Sequence, residues 1–319
     1  MAPKAFLFIT SFLLVAATTQ AFASTEINFN FAGLIPEQTR CDDGCEECPD
    51  ILGEQEARAA LYKSHVKAVY DMTIFPNNVY FIEKFLSGEP FTSWLPDIFN
   101  ENIAGRVYPF GVHKGPLAVA EYFYGLTPNN ITFDDLNIRI LDVHMTQFFV
   151  SGNKALSSIN YIVGTDPELP TANSTQIGIW RFDEEGKIKE FDNYQVFYSW
   201  AVRENFPFLT YPSATREAII QRACTQIQRW CTGEHQQYDS HESCVAFMES
   251  INFGEPDLFS WNNVICRDQH VTLARLRPEI HCAHSGPTGG GFCVEDVSRN
   301  AYTPLFEDED RLIGPPALL

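Results

Sequence analysis

The chain has 319 residues, with 22 basic against 41 acidic side chains and a formal net charge of −19. So strong a negative balance excludes nucleic acid and an anionic membrane as partners, because both are held by basic patches. With 45% hydrophobic and 13% aromatic residues the chain can bury a core, which excludes an intrinsically disordered protein.

The first 23 residues carry Lys4, an apolar run from Ala5 to Ala17, and then Ala21-Phe22-Ala23. A positive start, a short apolar run and a small-x-small site define a secretory signal peptide over 1–23. The run is shorter than the roughly 20 residues that span a bilayer. The expected mature protein is therefore soluble, secreted and extracellular. Secretion makes disulfides the default state of the nine cysteines. They fall in two groups, Cys41, Cys45 and Cys48 in a segment over 24–52, and Cys224, Cys231, Cys244, Cys266, Cys282 and Cys293 near the C-terminus. Their pairing cannot be read from spacing, and nine is odd, so at least one thiol is left over from intrachain bridges. The first cluster has three thiolates where a closed zinc site wants four, so oxidation is the expected fate there as well. Asn130-Ile131-Thr132 and Asn173-Ser174-Thr175 are acceptors for N-glycans.

The cysteine-free block must hold together by apolar burial. Ala57, Leu61, Ala68 and Met72 recur at helical spacing and predict a helix over 53–72, with His65 on the same stripe as a pocket or core residue. A second helix is expected over 79–86 and a short third over 91–99. Ile103–Phe110 reads as a strand, the Gly111–Gly115 segment as a turn, and Pro116 as the first residue of another helix, where its missing N–H costs nothing. Strands follow over 132–144, 147–150, 154–164, 175–182 and 187–198, with turns at Gly152-Asn153 and 183–186 and a proline-rich loop at 166–171. Helices and then a meander argue an α+β fold. The last strand has apolar residues on both faces, so cover is expected on both: helices on one, the cysteine-rich tail or a second copy in a homodimer on the other. Beyond 207, helices are expected over 214–230, 240–251 and 263–276. Residues 277–293 read as a glycine-rich loop, and 297–319 as an acidic tail.

Within this pattern, Gly111–Leu126 (GVHKGPLAVAEYFYGL) and Trp180–Tyr194 (WRFDEEGKIKEFDNY) resemble segments of the SnoaL-like polyketide cyclase family. The resemblance covers residues 54–205. Trp230-Cys231, RPEIHCAH and GPTGG resemble the C-terminus of secreted fungal proteins that join a SnoaL-like domain to a cysteine-rich extension. The resemblance implies the fold of nuclear transport factor 2-like proteins: a cone-shaped, curved antiparallel sheet packed on N-terminal helices, followed by a small helical, disulfide-rich domain. The boundaries expected are 53–206 for the cone and 207–296 for the cysteine-rich part. It also implies a deep, largely apolar cavity for a small apolar molecule, with no cofactor. Relatives include acid–base enzymes (ketosteroid isomerase, scytalone dehydratase, limonene epoxide hydrolase) and proteins without catalysis. The tyrosine–aspartate–histidine set of scytalone dehydratase does not align here, nor does the Asp-Arg-Asp set of limonene epoxide hydrolase.

Alternation along strands suggests which polar groups could serve such a cavity. Glu190 and Asp192 share a strand face with Ile188, Tyr194 and Val196, and Asp142 and His144 share one with Ile138 and Ile140. Each pair is a candidate general acid or base, or a solvated strand end. His113, Tyr108 and Tyr124 are candidates for the pocket mouth, and Tyr194 and His65 for its lining. In the tail, His270, His281 and His284 are a candidate zinc or copper set. The competing expectation for them is hydrogen bonding within a disulfide-pinned loop. Three classes of function follow: isomerisation, cyclisation or dehydration of a small molecule; noncatalytic binding; and a metal protein built on the tail histidines.

Overall fold

The computed structural model describes residues 51–127, 139–166, 169–198 and 213–295. The leader, Cys41, Cys45, Cys48, Asn130 and the acidic 297–319 segment lie outside them. All the described residues belong to one compact unit, Ile51–Leu319.

Helices α1 (Ile51–Asp71) and α2 (Asn77–Ser87) come first. Helix α1 buries Tyr62, Val66, Val69 and Tyr70 at helical spacing, and α2 buries Phe81 and Ile82. Helix α2 ends on Gly88 in the left-handed conformation, φ 71°, where glycine has no Cβ to clash. The helix expected over 91–99 is only a 3-10 turn, Phe91–Ser93. Pro90 and Pro96 bracket it and leave too few donors for more.

Six strands follow: β1 (Phe99–Tyr108), β2 (Gly111–Lys114), β3 (Arg139–Ser151), β4 (Lys154–Asp166), β5 (Leu169–Phe182) and β6 (Ile188–Val196). They form one curved, mixed sheet in the order β2-β1-β6-β5-β4-β3. Neighbours pair antiparallel except β1 with β6, which run parallel. Between β2 and β3 lie α3 (Pro116–Ala120) and a π turn, Glu121–Gly125. The fold class is thus the expected α+β cone with N-terminal helices, with one parallel pair in its sheet. Of the loop expected over 166–171, Asp166 ends β4 and the residues from Leu169 open β5, which accepts Pro170 where the β4–β5 register is irregular.

The core lies between the helices and the concave face: Ile103, Val107, Phe123, Trp180, Phe182, Ile188 and Phe191 are all buried. Gly105 is required by this packing, since a Cβ there would sit 2.2 Å from the Phe191 ring.

The C-terminal part packs a second core from α4 (Ser213–Trp230), α5 (His241–Ser250), α6 (Val264–Ala274) and α7 (Pro278–Ser285). Helix α7 occupies what reads in sequence as a loop, with Pro278 at its start. Disulfides Cys224–Cys244, Cys231–Cys282 and Cys266–Cys293 pair all six tail cysteines. This part meets the cone at β2 and the π turn rather than on the outer face of the sheet. Phe259 stacks on Phe110 at 4.8 Å. Phe292 lies over Gly111, and Leu273 and Leu276 over Gly125, each glycine leaving no room for a Cβ to stand clear. On the outer face Phe149, Leu156, Ile177 and Tyr194 remain exposed, so the tail does not provide the cover expected there.

Candidate functional site

The concave face grades from an aromatic floor to a belt of neutral hydrogen-bonding groups. In the floor, Trp180 and Phe191 lie 5.7 Å apart between ring centroids, Phe123 and Phe191 5.5 Å, and Tyr70 and Trp180 5.9 Å. Rings therefore pack against one another at this end of the interior. Next come Ser157 of β4, Gln176 of β5 and Asn193 of β6, all fully buried. Alternation of side chains puts Gln176, Gly178 and Trp180 on one face of β5, and Phe191, Asn193 and Gln195 on the same face of β6. The Tyr70 hydroxyl donates to Gln176 Oε1 at 2.6 Å, Asn193 Nδ2 donates to the same oxygen at 3.2 Å, and Trp180 Nε1 donates to Ser157 Oγ at 2.9 Å. Asn193 Oδ1 is buried with no hydrogen-bond partner among the described residues, and Gln176 Nε2, also buried, forms no close hydrogen bond but lies beside the Tyr122 hydroxyl. Further along, half-buried Ser174 donates to Gln195 Oε1 at 3.3 Å. Burial first, then neighbouring phenols, raises the pKa values of Tyr70, Tyr122 and Tyr161. The belt is therefore neutral at any ordinary pH, with donors and acceptors but no ionised group.

Neither of the two candidate pairs, Asp142 with His144 and Glu190 with Asp192, lies on this face. Asp142 and His144 sit on β3, the edge strand, with side chains 53% and 55% exposed and 3.4 Å apart. A bulge between Ile140 and Asp142 separates Ile140, which is buried, from the two polar residues, which face out. Glu190 and Asp192 lie with Tyr194 on the outer side of β6. A register shift between Arg181 and Phe182 frees Ile188 to face the core instead. Each acid meets an arginine directly across the ladder. Arg106 grips Asp192 in a fork, Nε to Oδ1 at 2.9 Å and Nη2 to Oδ2 at 2.6 Å, and Tyr194 donates to Oδ2 at 3.0 Å. Arg181 Nη1 is 3.0 Å from Glu190 Oε2. These carboxylates are structural ion pairs.

The remaining candidates scatter. Tyr108 pairs in register with Tyr194 at the strand ends. Tyr124 is buried with its ring 4.3 Å from Phe81, and burial raises its pKa. The His65 ring nitrogen Nδ1 lies 2.9 Å from the Gly186 carbonyl and ties α1 to the β5–β6 turn. Asn173 is exposed on β5, where a glycan has room. His113 stacks on Tyr122 at 4.5 Å. Burial and then the neighbouring His281 pull its pKa down to about 3.

His113 belongs to a second constellation, at the junction of cone and tail. His281 and His284 share a face of α7 three residues apart, and His270 faces them from α6. His270 Nδ1 lies 3.0 Å from His281 Nδ1 and 3.3 Å from His284 Nδ1. Glu121, buried on the π turn, meets His281 Nε2 at 2.9 Å through Oε1 and Arg277 Nη1 at 3.1 Å through Oε2. Burial, then His281, His284, His113 and Arg267, hold His270 well below the ordinary imidazole range. Burial and then His281 pull His284 down to about 4. Phe292 closes one side with its ring 4.4 Å from that of His270.

Sequence reasoning singled out the three tail histidines and missed Tyr70, Gln176, Asn193 and Glu121. Glu121 carried a signal: it is the one charged residue in PLAVAEYFYGL, and a charge on an apolar helix needs a partner. Gln176 and Asn193 carried another, as polar residues in alternation with Trp180 and Phe191.

These features define an α+β cone joined to a disulfide-linked helical tail. Residues 209–296 match the BfoA family C-terminal domain. The chain is similar to the aurasperone B biosynthesis cluster protein A of Aspergillus niger, 26% identical over 297 residues that span 84% of this chain and 90% of that protein. It is also similar to the bifonsecin B biosynthesis cluster protein A of Aspergillus brasiliensis, 26% identical over 271 residues, 78% of this chain and 84% of that one. Solved structures similar to it include NTF2-like and SnoaL-like proteins. An LEH-like epoxide hydrolase of M. tuberculosis matches with a TM-score of 0.32 and 13% identity over 48% of this chain and 98% of that chain.

Proposed function

We propose that this chain is a secreted protein of fungal small-molecule biosynthesis that holds a planar, neutral aromatic compound bearing hydroxyl and carbonyl groups against the polar belt of its cone. One observation carries the reading: Asn193 Oδ1 is a buried acceptor unpartnered among the described residues, and Gln176 Nε2 is a buried donor that forms no close hydrogen bond and has the Tyr122 hydroxyl beside it, both next to a floor of aromatic rings. Leaving such a group unsatisfied costs about 1–3 kcal/mol, and a bound molecule with the complementary pattern recovers it. Rings favour a planar aromatic, and the lack of ionised groups on the belt favours a neutral one. The names of the Aspergillus relatives, both biosynthesis-cluster proteins, support the same setting. The leader-like N-terminus and the three tail disulfides support secretion.

The chemistry open to this belt is hydrogen-bond donation from phenols and an amide, which polarises a carbonyl. Proton abstraction by Asp142, His144, Glu190 or Asp192 is not part of the reading, because those groups face outward. The test is quenching of Trp180 fluorescence by 2-acetyl-1-naphthol, with Trp180→Phe as the control for the other tryptophans. Saturable quenching in the wild type, weakened roughly tenfold or more in Gln176→Leu/Asn193→Leu, is the expected result. Absence of binding, or equal binding by the double variant, would overturn it.

A further inference from the structure

We propose that His270, His281 and His284 bind a divalent transition-metal ion, zinc or copper(II), through their Nδ1 atoms, with Glu121 as the carboxylate behind His281. The site is independent of the belt and of any ligand there. Nitrogens held 2.0–2.1 Å from a tetrahedral centre lie about 3.3–3.4 Å from one another. The His270–His281 and His270–His284 separations, 3.0 and 3.3 Å, are close to that edge, and ligand atoms of all three lie within 4.8 Å of one another.

Proton bookkeeping points the same way. His281 Nε2 faces the Glu121 carboxylate, so that nitrogen carries the proton and Nδ1 presents its lone pair to His270. A single Nδ1–H on His270 can satisfy one of its two Nδ1 neighbours and not both. A cation at the point of convergence satisfies all three. The Glu121–His281 contact is also the arrangement that fixes the tautomer and orientation of a metal-bound imidazole and raises its basicity. Arg277 holds the other oxygen of Glu121, so the carboxylate is itself positioned.

The ring positions are set before any ion arrives. Cys282, between His281 and His284, is bridged to Cys231, the residue after the end of α4, and Cys266, one turn before His270, is bridged to Cys293 beside Phe292. The same bridge disqualifies the rival donor set of Cys266, His270 and Cys293, because disulfide sulfurs supply no thiolate. Imidazole donors suit zinc and copper, and three protein ligands leave a fourth position for water or a substrate oxygen.

The experiment uses the full secreted chain with disulfides intact. It is stripped with EDTA, dialysed, and titrated separately with Zn(II), Cu(II) and Co(II). Metal content is followed by mass spectrometry, and the visible bands of four-coordinate cobalt are recorded. The expected result is one ion per chain, a rise in Tm on addition of Zn(II), and the cobalt bands. Glu121→Gln should bind about 10- to 100-fold more weakly. His284→Gln, at the least buried of the three rings, should keep the circular dichroism of the wild type and lose the bands. His144→Gln should bind as the wild type does, which separates this site from the exposed Asp142–His144 pair. No binding of any of the three ions by the wild type would overturn the assignment. So would undiminished binding by both His284→Gln and His270→Gln.

Discussion

Asp192 shows how a partner across a ladder decides the role of a charge. Its neighbours in sequence, Phe191 and Asn193, point into the cone, and Asp192 points away from them into the fork of Arg106. The pair is buried, so removing one member strands the other. Asp192→Asn should therefore cost about 3–5 kcal/mol in denaturant unfolding. Asp142→Asn, on the exposed edge, should stay within about 0.5 kcal/mol of the wild type. Equal effects would show that the two carboxylates were wrongly distinguished. Nothing local marks this difference, because the arginine lies 86 residues earlier in the chain and only the β1–β6 register brings it alongside. Glu121 is the opposite case. Its isolation in an apolar helix was visible in the sequence, though not the identity of its partners.

At the level of elements, periodicity predicted most strands and the long helices, and missed what departs from period. Strand β3 contains two register shifts, between Ile140 and Asp142 and between Met145 and Gln147. A one-residue slip turns every later side chain to the other face, which is why Asp142 and His144 face solvent instead of the core. Helix α7 was hidden because glycines after Ser285 set the tone of the whole segment, although Pro278 is a good first residue for a helix. Disulfide pairing was unreadable, since six cysteines allow fifteen connectivities. The Cys231–Cys282 bridge closes the longest of the three tail loops, with a sequence separation of 51. Cys231→Ser/Cys282→Ser should lose about 2–5 kcal/mol of stability, measured by urea denaturation under non-reducing conditions. A loss below about 0.5 kcal/mol would mean that packing alone seats α7 on α4.

Across the whole molecule, the π turn is the hinge of the organisation. Glu121 reaches into the tail histidines, and the next residue, Tyr122, lies against Phe123 of the aromatic floor and under the His113 ring. The extra residue of a π turn re-aims side chains, and such turns recur at functional sites. The aromatic floor and the histidine cluster therefore share one short element, and floor, belt and cluster all combine residues that are distant in the chain. That is the physical reason sequence patterns reported the cone and the cysteine-rich tail but not the belt: Tyr70, Gln176 and Asn193 meet only after helix α1 is laid across strands β5 and β6. The most direct measurement of the cone's role is a crystal structure of the protein grown with 2-acetyl-1-naphthol. The expected result is density for the compound on the concave face, with its carbonyl within hydrogen-bonding distance of Gln176 Nε2. A concave face without ligand, in which protein groups satisfy Gln176 Nε2 and Asn193 Oδ1, would contradict the small-molecule role.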